Sequence, residues 1–298
     1  MRGVSQFVAL AVLTMPLWSQ QSVPNSAIDS GNRTESCSTD SDQSKSTKRV
    51  SVIDVSFHGP LSLAASDQNE VASSIMHLTH GRHEESVVGE AEERARRGWQ
   101  DHGYLKVQVQ GEAKTLTSNA ILQRLALTIR VDEGKQYRLS EIRFKGNRAI
   151  VNTQALRSLF QIANGDVFSR SKIASGLVNL RKAYGEYGYA NFTAVPVTQF
   201  DENTATASLN IEIDEGKQFF ISGIEILGVD EPVKAQLLNN ALIELGQAYN
   251  ARLIEMFRNQ NASMFPECVC QEQEQLRLDE SRGLAVLTFA ARPCPASE

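Results

Sequence analysis

The 298-residue chain contains no uninterrupted apolar run of the roughly 18 residues that a membrane-spanning helix requires, so we expect no such helix. It also has no excess of basic residues, because 30 lysines and arginines stand against 35 aspartates and glutamates. A surface without an excess of positive charge suits phosphate poorly, which argues against nucleic acid as the main partner. The remaining composition, 41% apolar and 22% charged, is typical of globular domains and argues against wholesale disorder.

The sequence also lacks the short motifs that carry familiar enzyme chemistry. There is no Walker sequence, no G-x-S-x-G, no H-E-x-x-H and no G-x-G-x-x-G after a strand pattern. Aspartates and glutamates are scattered through strand ends and turns, where solvation accounts for them. We therefore predict a protein that is not an enzyme and that has no cofactor and no metal.

The histidines offer one alternative to that prediction. All five lie before residue 103, and three of them are closely spaced, His77, His80 and His83. On one helical turn this spacing would gather imidazoles, which are common zinc ligands. We expect Gly81 to end the helix, so the favoured interpretation is a solvated helix end. An exported metal-dependent enzyme that uses this cluster is the alternative from a different class.

The first 20 residues have the organisation of an export signal. Arg2 gives a positive start, and the apolar stretch at 7–17 is too short to span a bilayer. Residues 21–49 are rich in serine, asparagine, aspartate and threonine, and they cannot bury enough apolar surface to fold. We predict a signal peptide at 1–20, a disordered linker at 21–49 and a periplasmic protein.

From residue 50 the chain repeats itself. The sequence VDEGKQY at 131–137 recurs as IDEGKQF at 213–219. A strand pattern with alternating apolar residues, ending at a glycine, occurs three times, at 51–59, 139–147 and 221–229. The alternation predicts strands that bury one face.

Two helical stretches follow each such strand. In the middle copy we predict a helix at about 152–163 and a second one that begins near Ser169. The second helix carries an apolar stripe, Ile173, Leu177, Leu180 and Tyr184, which corresponds in the first copy to Val88, Ala91, Ala95 and Trp99. These helices end in similar sequences, with Gly103 and Gly188 at the position after the helix where a left-handed backbone favours glycine.

A β-hairpin completes each copy. The predicted outgoing strands are 104–110, 189–200 and 270–278, and the returning strands are 125–131, 207–213 and 285–291. The chain is therefore predicted to be an α+β protein built from three tandem β-α-α-β-β units. We place the units at 50–133, 134–216 and 217–294.

The unit order, the closing DEGK and the shared helix end, WQDHGY at 99–104 and YGEYGY at 184–189, resemble POTRA domains. These modules occur in the BamA/TamA family of outer-membrane barrel insertases and in two-partner secretion transporters. The resemblance covers about 50–293 and weakens in the third copy, where MFPEC at 264–268 replaces the helix-end sequence. It implies, for each unit, a three-stranded mixed sheet with two helices packed on one face.

The resemblance also implies a role in outer-membrane protein assembly or secretion. The expected partners are outer-membrane barrel proteins or unfolded polypeptide clients, bound at the outer membrane through a partner. No barrel-length stretch follows the third copy, so we expect a periplasmic scaffold or chaperone-like arm rather than a whole insertase. An envelope or division scaffold of the FtsQ type is the alternative, although that type has a membrane anchor and usually one unit.

Pro196 falls inside a predicted outgoing strand, and proline is confined to sheet edges because it cannot donate to a ladder. The outgoing strands are therefore predicted to be edges that can accept an extended partner by β-augmentation. In the first copy we assign this partner-binding edge to Tyr104, Leu105, Lys106, Val107, Gln108 and Val109. The competing interpretation is that Lys106 and Pro196 blunt these edges against aggregation.

Four cysteines in an exported chain are typical of a protein with disulfide bonds. If 279–283 is the last hairpin turn, Cys268 lies opposite Cys294, with Cys270 as the near alternative partner of Cys294. A bridge there would stabilise the end of the array by about 3 kcal/mol. Cys37 and the remaining cysteine would be free or paired elsewhere.

Overall fold

A computed structural model describes residues 49–77, 83–119, 121–264 and 276–290 of the chain. Three units follow one another, each with the order strand, helix, helix, strand, strand, which confirms the predicted α+β fold. The first unit contains β1 (Arg49–His58), α1 (Ala65–Met76), α2 (Glu84–Asp101), β2 (Gln108–Ser118) and β3 (Leu122–Asp132).

The second and third units repeat this order. The second contains β4 (Arg138–Lys145), α3 (Thr153–Ser158), α4 (Arg170–Glu186), β5 (Thr193–Asp201) and β6 (Thr206–Asp214). The third contains β7 (Phe220–Leu227), α5 (Glu231–Asn240), α6 (Ala251–Gln260), β8 (Leu276–Asp279) and β9 (Leu284–Ala290). None of the described helices is both long enough and apolar enough to cross a membrane.

Each unit has its own three-stranded mixed sheet, in the orders β1-β3-β2, β4-β6-β5 and β7-β9-β8. The returning strand is central, parallel to the opening strand and antiparallel to the outgoing strand. The opening and outgoing strands are therefore both edges, as Pro196 predicted for β5.

Each unit also has its own hydrophobic core between sheet and helices. The predicted inward residues of the central strands are buried, among them Leu125, Leu127, Ile129, Leu209, Ile211, Leu287 and Phe289. The helix stripe is confirmed as well, since Trp99 and Tyr184 are fully buried and face these strands. Burial of each such side chain contributes about 1.5–3 kcal/mol, so the three cores account for most of the stability.

The outgoing strands begin later than the sequence predicted. In the first unit β2 starts at Gln108 instead of Tyr104, and in the second β5 starts at Thr193 instead of Tyr189. The intervening residues form a turn, in which the Val107 amide donates to the Tyr104 carbonyl at 3.2 Å. The turn allows Tyr104 to fold back and bury its ring at the end of the helix, which alternation alone cannot reveal.

Helix ends follow local capping chemistry. The α4 helix begins after Ser169, whose hydroxyl accepts a hydrogen bond from the Lys172 amide. The α3 helix begins after Asn152, whose side chain accepts hydrogen bonds from two backbone amides. The α3 helix ends at Ser158, well before the predicted residue 163. Gly103 and Gly188 have φ values of 86° and 94°, which confirms their predicted left-handed position after α2 and α4.

The glycine that ends the opening strand is required by close packing. Gly146 has a φ of 95°, and a Cβ there would lie 2.2 Å from the carbonyl oxygen of Ile213 on the central strand. We predict that Gly146→Ala destabilises the second unit by about 3 kcal/mol, because both the backbone angle and the contact become unfavourable. Thermal unfolding followed by circular dichroism measures this loss.

Gly89→Ala is the matched control. Gly89 lies in α2 with nothing within 4 Å of the position of an added Cβ, so this substitution should stabilise the helix by up to about 1 kcal/mol. Equal melting temperatures for the two variants would contradict the packing role of Gly146.

Candidate functional site

The outgoing edge of the first unit, β2, is the candidate partner-binding site, and only part of the predicted segment lies in it. Gln108 and Val109 belong to the strand. Tyr104, Leu105 and Val107 are buried in the preceding turn. Lys106 is exposed but contacts the second unit. The edge therefore runs from Gln108 to Ser118, and its role in binding a partner stays a prediction.

The opening strands are less open than the outgoing strands in the second and third units. In β4, the Leu139 amide donates to the Asp166 carbonyl at 2.9 Å, and the Gly165 amide donates back to the Leu139 carbonyl at 2.7 Å. In β7, Ile221 makes the same pair of bonds with Gln247 and Gly246. The loop before the second helix thus occupies the outer side of each of these strands.

The backbone amide of Gly111 identifies which groups of β2 face outward. It donates to Glu92 Oε1 on α2 at 2.7 Å and therefore points away from β3. Gly111 itself lies opposite Ile129 of β3. Because the direction of amides alternates along a strand, the amides of Val109 and Ala113 point the same way. These residues define the outer row of β2 that a partner strand would meet.

The outer row of β5 is interrupted by Pro196, which lies opposite Ile211 and has no amide hydrogen. Two valines, Val195 and Val197, are exposed on the face of β5 that points away from the helices. The second unit therefore presents an apolar strand face but lacks a backbone donor at the centre of its edge.

The glutamate of each DEGK sequence organises its own unit. Glu133 is only 3% exposed, and its carboxylate accepts the amides of Ser62 and Leu63 at 2.6 and 3.0 Å and Trp99 Nε1 at 2.8 Å. Three donors offset much of the hydration that a buried carboxylate loses. It joins the loop after the opening strand to the end of the second helix.

Glu215 makes the equivalent contacts in the second unit. Its Oε1 accepts the amides of Arg148 and Ala149 at 2.6 and 2.8 Å, and the Tyr184 hydroxyl at 3.0 Å. Burial, together with this hydrogen bond, raises the pKa of Tyr184 far above its ordinary value, which keeps the hydroxyl a donor. The paired tryptophan and tyrosine of the helix ends therefore share one function, donation to this glutamate.

The residues after the glutamate bind the next unit, and the two junctions are built alike. Lys135 Nζ donates to the Glu202 carbonyl at 2.9 Å, and Lys217 Nζ donates to the Glu280 carbonyl at 2.7 Å. Both acceptors lie in the hairpin turn of the following unit. The lysine thus reaches from the end of one sheet to the tip of the next hairpin.

The glutamine and the aromatic residue that follow bind backward, to the helix end of the preceding unit. The Gln136 side chain donates to the His102 carbonyl at 2.9 Å, and the Tyr137 amide donates to the Gly103 carbonyl at 2.8 Å. At the next junction Gln218 and Phe219 make the same bonds, at 2.8 and 2.9 Å, to Tyr187 and Gly188.

The junction between the first two units carries an additional polar network. Glu202 accepts from Lys106 Nζ and, at 2.8 Å, from the Tyr137 hydroxyl. The bond to Lys106 lowers the pKa of Glu202 and raises the pKa of Lys106. Lys106 also lies 4.7 Å from the ring centre of Phe200. Lys106 therefore binds the next unit, which is a different role from blunting an edge.

The structure describes four of the five histidines and none of the four cysteines. His77 follows the end of α1 and His83 precedes the start of α2, so these two do not share one helical turn. His80 lies outside the described residues. Within the part of the chain that the structure describes, no three His, Cys, Asp or Glu side chains form a group that could hold a metal ion. Cys37, Cys268, Cys270 and Cys294 also lie outside the described residues.

Sequence reasoning did not identify Glu92, Glu133 or Glu215 as organising residues. The two DEGK glutamates were visible as part of a repeated motif, but a motif does not show which donors it meets. Glu92 carries no motif at all. Its signal lies in a comparison of the copies, because Gly111 and Pro196 occupy matching positions opposite Ile129 and Ile211.

Comparisons with known proteins agree with this geometry. The family described as POTRA, surface antigen variable number repeat, matches residues 137–216. BamA of Buchnera aphidicola, an outer membrane protein assembly factor, is 27% identical over 135 residues, which is 45% of this chain. A Treponema pallidum protein, provisionally named an outer membrane protein assembly factor, is 24% identical over 217 residues, or 71% of this chain. The chain covers only 22% and 26% of these two relatives.

A solved structure shows the same fold. The POTRA3-5 segment of Haemophilus influenzae BamA matches with a TM-score of 0.64 at 21% identity, covering 82% of this chain and 97% of that segment. The three units thus share the fold of three consecutive POTRA domains. The chain resembles the POTRA arm of BamA, as the repeated motifs predicted.

We predict that Glu133→Ala destabilises the first unit by about 3 kcal/mol, because three donors lose their shared acceptor. Trp99 is one of two tryptophans in the chain and donates directly to Glu133, so urea unfolding followed by tryptophan fluorescence reports on this unit. Glu112→Ala removes a carboxylate from the exposed face of β2 and serves as the control. A shared unfolding midpoint for the two variants would contradict the role of Glu133.

Proposed function

We propose that this protein acts in outer-membrane protein assembly as a non-catalytic POTRA arm that binds extended polypeptide segments. The proposed location is the periplasm, in association with the outer membrane through a partner. The proposed partners are outer-membrane barrel proteins or unfolded precursors of such proteins. The POTRA match and the assembly-factor names of the relatives support this role over a division scaffold.

One observation carries the binding part of the proposal, the outward row of backbone groups on β2. Among the described residues, β3 is the only strand that pairs with β2, so the other side of β2 faces no strand. An extended segment placed there would extend the sheet to four strands through main-chain hydrogen bonds. Such bonds do not depend on side-chain identity, which suits a protein that handles precursors of varied sequence.

The junctions support the same proposal. Because each DEGKQ segment binds both the preceding helix end and the following hairpin, neighbouring units are joined by several hydrogen bonds rather than by a free linker. Units held in this way keep the β2 edge at a fixed position relative to the neighbouring units. A long segment that binds β2 and also contacts a neighbouring unit gains affinity through effective concentration.

The test uses a fluorescein-labelled peptide of ten residues in which valine alternates with threonine, and a copy with N-methyl groups on alternate residues. We predict that the chain binds the first peptide and that Ala113→Pro weakens binding about tenfold, because proline removes an outward donor. The N-methylated copy should bind as weakly. Fluorescence polarisation measures both affinities.

Ala113→Val is the control, since it keeps the amide and changes the side chain at the same position. Equal affinity of Ala113→Pro and Ala113→Val, with both variants folded by circular dichroism, would contradict strand addition at β2.

A further inference from the structure

One position in the middle of the outgoing edge is equivalent in the first two units. Gly111 lies 12 residues after Trp99, and Pro196 lies 12 residues after Tyr184, the matching helix-end aromatic. Their partners on the central strands, Ile129 and Ile211, are also equivalent. Gly111 and Pro196 therefore occupy the same place in the ladder, in the middle of each outer row.

At this place neither unit offers a free backbone donor. In the first unit the Gly111 amide is occupied by Glu92 Oε1 at 2.7 Å. In the second unit the amide hydrogen is absent because the residue is proline. An edge that lacks its central donor is a poor template for unselective pairing, which protects a protein that carries several such edges.

The helix residue that contacts Gly111 in the first unit also differs between the two copies. Glu92 lies seven residues before Trp99, and the residue seven before Tyr184 is Leu177. The first unit thus has an acceptor and a donor, whereas the second has an apolar side chain and no donor. A carboxylate at the Leu177 position would have no amide hydrogen to accept from Pro196. The helix position and the strand position therefore match each other in both units.

The two ways of closing the edge differ in one physical respect. A side-chain acceptor can rotate away and return to water, where a carboxylate is well hydrated. A proline cannot regain its missing hydrogen. The first edge is therefore closed reversibly, and the second is closed permanently at its centre.

We propose that Glu92 is a displaceable cap that regulates strand addition at β2, and that Pro196 makes β5 unable to accept a strand across this position. This inference rests on the proposed function, in which β2 binds an extended segment. An incoming strand places one carbonyl oxygen where Glu92 Oε1 now lies, 2.7 Å from the Gly111 amide. That exchange fixes the register of the incoming strand relative to Gly111.

The immediate surroundings of Gly111 also select the segment. A Cβ added at Gly111 would lie 3.2 Å from both Val88 and Glu92, so α2 closely borders this part of the edge. The partner is thus an extended segment that approaches beside α2. Because its carbonyl must reach the Gly111 amide, its main chain must be unobstructed at that point.

The first experiment compares the full-length chain with its Glu92→Ala variant in binding the valine–threonine peptide. Removal of the cap leaves the Gly111 amide free, so the variant should bind about tenfold more tightly, the usual effect of removing one competing charged hydrogen bond. Glu93→Ala is the matched control. It removes the same charge from the next residue of α2, where Glu93 pairs with Arg96 and Arg97 instead of β2.

Amide hydrogen exchange at Gly111 reports on the cap directly. The amide should exchange slowly in the wild-type chain, rapidly in Glu92→Ala, and slowly again in that variant when peptide is bound. Equal exchange in wild type and variant would overturn the cap. Equal peptide affinity of Glu92→Ala and wild type would overturn it too, while leaving strand addition at β2 intact.

Pro196→Thr tests the second half of the proposal. Restoring the amide hydrogen should open β5, so the number of peptides bound per chain should rise by one in a calorimetric titration. An unchanged stoichiometry would overturn the assignment of Pro196 as the block. If wild type and Glu92→Ala both fail to bind any peptide although both are folded, the proposed function itself fails.

Discussion

The carboxylate at the end of the central strand, buried in Glu133 and partly buried in Glu215, is the interaction on which the first two units depend. Glu133 and Glu215 each accept three donors that come from the loop after the opening strand and from the second helix. Without Glu133, the buried amide of Leu63 and the indole of Trp99 would lose hydration without gaining a hydrogen bond. The same four-residue motif then continues into the contacts with the next unit. A single sequence thus closes one unit and positions the following one.

Because the same segment stabilises one unit and binds the next, small units of this fold can form an ordered array. The short DEGKQ segment leaves little freedom between the end of one sheet and the start of the next, and its lysine and glutamine bind in opposite directions along the chain. The outgoing edges therefore occupy defined positions relative to one another. A long client bound at β2 can then also contact the neighbouring units with little additional loss of entropy.

Much of the fold could be predicted from the sequence, because the periodicity of apolar residues and the repeated motifs reflect it directly. The alternation of Leu125, Leu127 and Ile129, the helical stripe and the positive-φ glycines each depend on local geometry that sequence spacing reflects directly. The start of β2 could not be predicted in this way. Leu105, Val107 and Val109 alternate like a strand, but the residues before Gln108 form a turn in which Tyr104 is buried. Contacts such as Glu92 with Gly111 are set by how a helix lies beside an edge, which a single sequence does not show.

The most direct measurement of the coupling between units is ¹⁵N relaxation of the full chain, compared between residues of β3 and residues of β6. The structure predicts one common rotational correlation time for the first two units, because Lys135, Gln136, Tyr137 and Glu202 hold them together. Separate and shorter correlation times for the two units would contradict the account, since freely moving units would not hold their edges in a fixed relation.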